Sequence, residues 1–154
     1  MSEQGDSAAQ GGQVALRRTF GLREAITITA GTVIGVGLIM MTNNTCDIER
    51  DVEAKRRTLP ATLGRAKART LYHALLWAWM ALIVLNVAVF FTNGLPVLVF
   101  AGLACMPLLK PLLANPLAGN TRQAAMGQIC TVNVALGAFY AAAILASGGM
   151  QLVL

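Results

Sequence analysis

The sequence predicts an all-α integral membrane protein, a helical bundle with about four transmembrane helices. Of its 154 residues, 56% are hydrophobic and only 12% are charged, which is about half the charged fraction of a typical soluble domain. Four apolar segments approach or exceed the roughly 20 residues that a helix needs to cross a bilayer. The alternation of polar and apolar residues that marks a strand is missing from the sequence. Helices also satisfy their own backbone polar groups in lipid.

The chain divides into a polar tail, one apolar segment, a long polar loop and three further apolar segments. The regions are 1–24, which is polar, basic and expected to be disordered, 25–41 as a first transmembrane helix, 42–71 as a loop, and 72–154 as a three-helix part. The four apolar segments are Ala25–Met41, Tyr72–Thr92, Leu95–Leu113 and Ala124–Ser147. Pro107 and Pro111 are expected to bend or end the third of them.

Basic residues set the orientation of this bundle. The loop at 42–71 holds seven of the twelve basic residues, so the positive-inside rule makes it cytoplasmic. We therefore expect a multi-pass protein of the inner (plasma) membrane. Four spans then place the N-terminus outside, which is the wrong side for Arg17, Arg18 and Arg23. This conflict suggests that the first span has a different origin from the others.

The polar loop contains the residues best suited to bind a ligand. Four acidic residues, Asp47, Glu49, Asp51 and Glu53, are followed by the basic run Lys55, Arg56 and Arg57. Asp47 and Asp51 share one face if the segment is helical. Mg²⁺ prefers carboxylate oxygens and often completes its shell with substrate phosphates, and Arg suits bidentate contacts to phosphate. The pattern therefore indicates a Mg²⁺ site for a phosphorylated ligand.

The alternative for this loop is a solvated segment without a ligand. Asp51 with Lys55, and Glu53 with Arg57, have the spacing of helical salt bridges. Spacing alone does not separate this interpretation from a metal site.

Polar and small residues inside the apolar segments favour helix packing. Gly31-Thr-Val-Ile-Gly35 has the spacing of a close helix–helix contact. The competing interpretation is a broken helix whose backbone N–H groups bind an anion, as in secondary transporters. Asn86 and Asn133 are expected to form hydrogen bonds between helices rather than to bind substrate.

Several of these residues together resemble a known motif. The block Asn43-Asn44-x-x-Asp47-x-x-x-Asp51, with the following Lys55-Arg56-Arg57-Thr58-Leu59 and Leu63-Gly64, is similar to the second aspartate-rich motif of UbiA-type intramembrane prenyltransferases. It is most similar to the 1,4-dihydroxy-2-naphthoate polyprenyltransferases of menaquinone biosynthesis. The resemblance covers roughly 38–150, with three spans after the motif as in that family.

The resemblance implies a transferase and a division of roles. Asp47 and Asp51 would be the catalytic, metal-binding residues that hold Mg²⁺ on the diphosphate of an isoprenyl donor. The diphosphate-binding residues would be Asn43, Asn44, Lys55, Arg56 and Arg57. An aromatic acceptor would attack the prenyl carbon, while the prenyl tail lies between apolar helices. The partners would be these two substrates and the lipid bilayer, with no nucleic acid.

The chain also departs from that family. UbiA-type enzymes carry two facing aspartate-rich motifs, whereas this sequence contains one and has no Asp or Glu after Glu53. We therefore expect it to be incomplete on its own, which leaves its catalytic activity open. A separate N-terminal half would be its partner. Residues 16–37 resemble the start of an amino acid–polyamine–organocation permease. A permease fragment, or a small non-catalytic membrane protein, is thus the alternative function.

Overall fold

The computed structural model describes residues 22–148, and this part of the chain is helical without a strand. Its helices are α1 (Leu22–Cys46), α2 (Ile48–Glu53), α3 (Leu59–Leu63), α4 (Arg65–Phe90), α5 (Leu95–Ala114) and α6 (Arg122–Ala146), with 3₁₀ turns at Thr92–Gly94 and Gly119–Thr121. The all-α class is confirmed. The predicted tail at 1–24 lies almost wholly outside the described residues.

Three stretches of the described chain are long and apolar enough to cross a membrane. They are Arg65–Phe90, Thr92–Ala114 and Gly119–Ala146. Helix α1 has 25 residues but is not one of the three, so the fourth span stays a prediction. Helix α5 continues through Pro107 and Pro111, so neither proline ends it.

The segment that the sequence predicts as a polar loop is largely helical. Helix α1 continues past Met41 to Cys46, and α4 begins at Arg65, well before Tyr72. Two short helices lie between them. Thr58 caps α3 by accepting a hydrogen bond from the Ala61 N–H at 3.4 Å. Gly64 then separates α3 from α4 with a φ of 75°, a conformation that glycine adopts at little cost.

Helix α6 occupies the centre of the bundle, since it packs most extensively on α5 and also contacts α1 and α4. The main buried cluster lies at the end of the bundle that carries α2 and α3. Its fully buried side chains include Leu38, Tyr72, Leu76, Leu112 and Ile129. A smaller cluster at the opposite end contains Val87, Phe91 and Ala143. The core therefore supports the polar end of the bundle.

Contacts between helices agree with the packing interpretation at Gly35, Asn86 and Asn133, but not at Gly31, where a Cβ would meet no atom within 4 Å. Helix α1 is uninterrupted, so the broken-helix interpretation is wrong for the described residues. A Cβ at Gly35 would lie 2.8 Å from Asn133 Oδ1, and Asn133 Nδ2 donates to the Gly35 carbonyl at 3.4 Å. Tyr140 OH donates to Asn86 Oδ1 at 3.0 Å. Both asparagines thus connect helices, as expected.

Candidate functional site

The aspartate-rich segment forms a continuous helical path from α1 into α2. Asp47 N–H donates to the Asn43 carbonyl at 3.0 Å, and Asp51 N–H donates to the Asp47 carbonyl at 2.9 Å. These are the i,i+4 bonds of an α-helix. The two residues are therefore one helical turn apart, as their spacing predicts, although their carboxylates contact different partners.

Asp51 is turned towards the protein. It is a buried residue with 6% exposure, and its Oδ2 accepts a hydrogen bond from Thr58 Oγ1 at 2.9 Å. The guanidinium of Arg56 lies 4.0 Å from its Oδ1. Because Thr58 also caps α3, this hydrogen bond connects α2 to α3 and fixes the direction of the Asp51 carboxylate.

Asp47 is also shielded, since its side chain is 15% exposed. Its Oδ2 lies 3.1 Å from Nε of Arg122, the first residue of α6. Its Oδ1 is 3.7 Å from the Arg50 guanidinium and is buried with no hydrogen-bond partner. A buried carboxylate oxygen without a donor is uncommon, and it is a position at which a cation would be stabilised.

Asn43 belongs to the same cluster. Its Oδ1 accepts hydrogen bonds from Arg122 Nε at 3.1 Å and from Arg122 Nη2 at 2.7 Å. Asn44 is half-buried and makes none of these contacts. The structure thus brings Asn43 to Asp47 through one arginine that the sequence analysis did not select.

The basic run lies on the surface next to Asp51. Helix α2 ends at Glu53, and Lys55 has a positive φ of 53°, so helical spacing is lost before residue 55. The expected salt bridges of Asp51 with Lys55 and of Glu53 with Arg57 are not among the ion pairs of the described residues. The basic side chains at 55–57 are exposed and face solvent, where they can meet an anionic ligand.

A second arginine holds this end of the bundle together. Arg65 Nη1 donates to the carbonyls of Thr45, at 3.0 Å, and of Leu117. Its Nη2 lies 2.6 and 2.7 Å from the two carboxylate oxygens of Glu49, and this hydrogen bonding lowers the pKa of Glu49 below its usual value. Arg65 therefore connects α1, α2 and the α5–α6 connection.

Two signals could have identified Arg122 from the sequence. Two spans separate the polar segment from the α5–α6 connection, so both lie on the same membrane face. An arginine at the first position of a helix is also unfavourable for the helix dipole, which implies a nearby anion. Neither signal identifies the anion as Asp47, because that pairing joins residues far apart in the chain.

The donor set fits one Mg²⁺ ion shared with a phosphorylated ligand. Within residues 22–148, no group of three or more His, Cys, Asp or Glu side chains is close enough to hold a metal. Mg²⁺ does not need such a cage, because it often binds one or two carboxylates, waters and substrate phosphates. Asp47 and Asp51 supply two carboxylates, and Asp47 Oδ1 accepts no hydrogen bond, although the Arg50 guanidinium lies 3.7 Å from it.

Comparison with known proteins gives one result. The model of the UbiA prenyltransferase family matches residues 5–126, a stretch that contains the aspartate-rich segment and α2 to α5. It also contains residues 16–37, for which the permease resemblance finds no support and stays a prediction. No significant match to a curated protein or to a solved structure was found. Because the matched region covers most of the 154 residues, the chain belongs to the UbiA prenyltransferase family.

Proposed function

We propose that this chain is the C-terminal part of a membrane polyprenyltransferase that transfers an isoprenyl group from its diphosphate to an aromatic acceptor. Membership of the UbiA family and the three apolar helices support the general activity. The observation that carries the site assignment is the Asp47 carboxylate, which has a buried oxygen without a hydrogen-bond donor one turn from the shielded Asp51.

In this proposal, the residues around the carboxylates act on the leaving group. The allylic C–O bond of the donor breaks, and the diphosphate leaves with the electron pair. Lys55, Arg56 and Arg57 stabilise the charge that develops on it. A Mg²⁺ ion held by Asp47 and Asp51 would add Lewis-acid stabilisation of the diphosphate. A carbon of the electron-rich ring then bonds to the prenyl carbon, and the ring regains its aromaticity as that carbon releases its proton, or CO₂ if it carries a carboxyl group.

An apolar groove between α4 and α5 offers a place for the prenyl tail. Its volume is about 310 Å³, and its lining is almost entirely hydrophobic. Trp77 and Met80 contribute from α4, and Leu103 and Met106 contribute from α5. Because the groove lies between helices that can cross a membrane, an isoprenoid chain there would be held by van der Waals packing rather than by transfer out of water.

The finer parts of the proposal rest on the resemblance of residues 43–64. They are the acceptor, 1,4-dihydroxy-2-naphthoate, the place in menaquinone biosynthesis, and the cytoplasmic face of the plasma membrane. Since this sequence has one aspartate-rich motif, we propose that a separate N-terminal half supplies the other. Diphosphate binding by this chain alone should then be weak but measurable.

Binding of an isoprenyl diphosphate tests the proposal without requiring turnover. The full chain in nanodiscs is titrated with farnesyl diphosphate, with and without Mg²⁺. We expect Mg²⁺-dependent binding that weakens about tenfold or more in Asp47→Asn and in Asp51→Asn, because each variant removes a charged metal ligand. Glu53→Gln is the matched control, since Glu53 lies in the same helix but is exposed. Unchanged binding in both aspartate variants would show that these two carboxylates do not form the binding site.

A further inference from the structure

Arg122 occupies two oxygen atoms, Asp47 Oδ2 and Asn43 Oδ1, next to Asp47 Oδ1, the position at which a divalent cation would be stabilised. Its Nε lies 3.1 Å from Asp47 Oδ2, and its Nε and Nη2 both donate to Asn43 Oδ1, at 3.1 and 2.7 Å. Carboxylate and amide oxygens are also the protein ligands of Mg²⁺. A metal ion on Asp47 would share this carboxylate with the Arg122 guanidinium, so the two positive charges would repel each other and compete for it.

A polar cavity lies directly beside this contact. It is open, has a volume of about 470 Å³ and is lined mainly by Arg50, Asn120, Arg122 and Gln123. The guanidinium groups of Arg50 and Arg122 both pair with Asp47, at 3.7 and 3.1 Å. If a divalent cation neutralised Asp47, both guanidinium groups would lose their partner while still bordering the cavity. Two guanidinium groups beside one cavity match the bidentate recognition of phosphate oxygens.

We propose that Arg122 is an exchangeable cation, which holds Asn43 and Asp47 when the site is empty and moves to the diphosphate when a divalent cation binds. This inference rests on the proposed function and assigns to Arg122, with Arg50, a role in diphosphate binding. The consequence is positive cooperativity between the cation and the diphosphate, because the diphosphate binds the guanidinium groups that otherwise repel the cation. The cation alone binds weakly, and the cation with diphosphate binds tightly.

The exposure of Arg122 determines how strongly its guanidinium weakens binding of the free cation. Its side chain is 43% exposed, so solvent screens its attraction to Asp47 and the contact can be exchanged at moderate cost. The two hydrogen bonds to Asn43 add to that cost. Removing the guanidinium should therefore tighten binding of the free cation by about three- to tenfold, the range between a screened ion pair and a charge-assisted hydrogen bond.

Mn²⁺ binding measured by electron paramagnetic resonance tests this directly on the full chain in nanodiscs. Wild type, Arg122→Gln and Arg122→Lys are titrated with Mn²⁺ alone and then with added inorganic pyrophosphate. Lys67→Gln is the control, since it removes one positive charge from an exposed position near the start of α4. Inorganic phosphate replaces pyrophosphate in a further titration to separate diphosphate recognition from general anion binding.

We expect Arg122→Gln to bind Mn²⁺ alone about three- to tenfold more tightly and to lose most of the enhancement by pyrophosphate. Lys67→Gln should behave like wild type, and Arg122→Lys should keep the weak binding of the free cation. A variant that folds poorly would bind less Mn²⁺, so tighter binding cannot arise from misfolding. Wild type provides an independent check, because its Mn²⁺ affinity must rise with pyrophosphate and rise less with phosphate.

Three outcomes would overturn the inference: unchanged Mn²⁺ affinity in Arg122→Gln, weaker Mn²⁺ affinity in Arg122→Gln, or no enhancement by pyrophosphate in wild type. The second outcome, in a variant whose circular dichroism matches that of wild type, would show that Arg122 is a permanent structural support of the metal site. Failure of the proposed function looks different. If the proposed function is wrong, Asp47→Asn and Asp51→Asn leave Mn²⁺ binding unchanged. If only the exchange of Arg122 is wrong, Mn²⁺ binding still depends on both aspartates.

Discussion

Replacement of Arg65 by Gln should lower the free energy of unfolding by more than the loss of its salt bridge with Glu49 alone would. Arg65 makes two kinds of contact. One is the pair with Glu49, whose side chain is 64% exposed. The other is donation to the carbonyls of Thr45 and Leu117, two residues that are fully buried. Water can replace the exposed contact with Glu49 but not the hydrogen bonds to the buried carbonyls. The two kinds of contact therefore contribute different free energies.

The magnitudes decide which contact dominates. An exposed ion pair contributes about 0.2–1 kcal/mol, whereas a hydrogen bond to a charged group contributes about 1.5–3 kcal/mol when its partner is left unsatisfied. We therefore expect Arg65→Gln to lower the free energy of unfolding by about 2–4 kcal/mol. The coupling energy between Arg65 and Glu49 should stay below about 1 kcal/mol.

A double-mutant cycle in detergent micelles measures both quantities. The variants are Arg65→Gln, Glu49→Gln and their combination, with unfolding followed by circular dichroism during titration with a denaturing detergent. Arg65→Lys is the matched control for charge, because a single ammonium group cannot reach both carbonyls and the carboxylate. A loss of stability in Glu49→Gln as large as that in Arg65→Gln, or an Arg65→Lys variant as stable as wild type, would contradict this expectation.

Two further predictions follow from the packing and charge of the described residues. Gly94→Ala should destabilise the chain by about 1–3 kcal/mol through overpacking, because the new Cβ would meet the Ala143 carbonyl oxygen. Gly102→Ala has no atom within 4 Å of its new Cβ and lies inside α5, so it should raise the unfolding midpoint slightly, since alanine favours a helix interior. Equal midpoints for the two alanine variants would contradict this. Because Arg65 lowers the pKa of Glu49 from about 4.5, their pair stabilises the fold above that pH and is lost as the pH falls through the lowered value. The difference in stability between wild type and Glu49→Gln should therefore vanish in acid, and a difference that persists at pH 2 would show another origin.

The parts of the fold that the sequence predicted are those that lipid and helical spacing determine. Long apolar runs must be helices in a bilayer, and three of them form helices long enough to cross a membrane. Asn86 and Asn133 meet other helices because a polar side chain inside a span needs a partner. Asp47 and Asp51 share a face because the α-helical repeat carries through the end of α1 into α2.

The remaining features depend on contacts between distant parts of the chain. The salt bridges expected from spacing at 51–57 require a helix that continues past Glu53, but Lys55 adopts a left-handed conformation instead. Such a conformation is uncommon for a residue other than glycine, and no local sequence pattern predicts it. Arg122 pairs with Asn43, which lies 79 residues earlier in the chain, and with Asp47, so only the packing of α6 against α1 creates that contact.

Pulsed electron–nuclear double resonance tests most directly the proposal that Asp47 and Asp51 hold one divalent cation together with a diphosphate. On the full chain, with Mn²⁺ and inorganic pyrophosphate, it measures the ³¹P coupling of the protein-bound ion. We expect a strong ³¹P coupling in wild type that disappears from the protein-bound signal in the combined Asp47→Asn, Asp51→Asn variant. A protein-bound signal without ³¹P coupling, or one that persists in that variant, would contradict it.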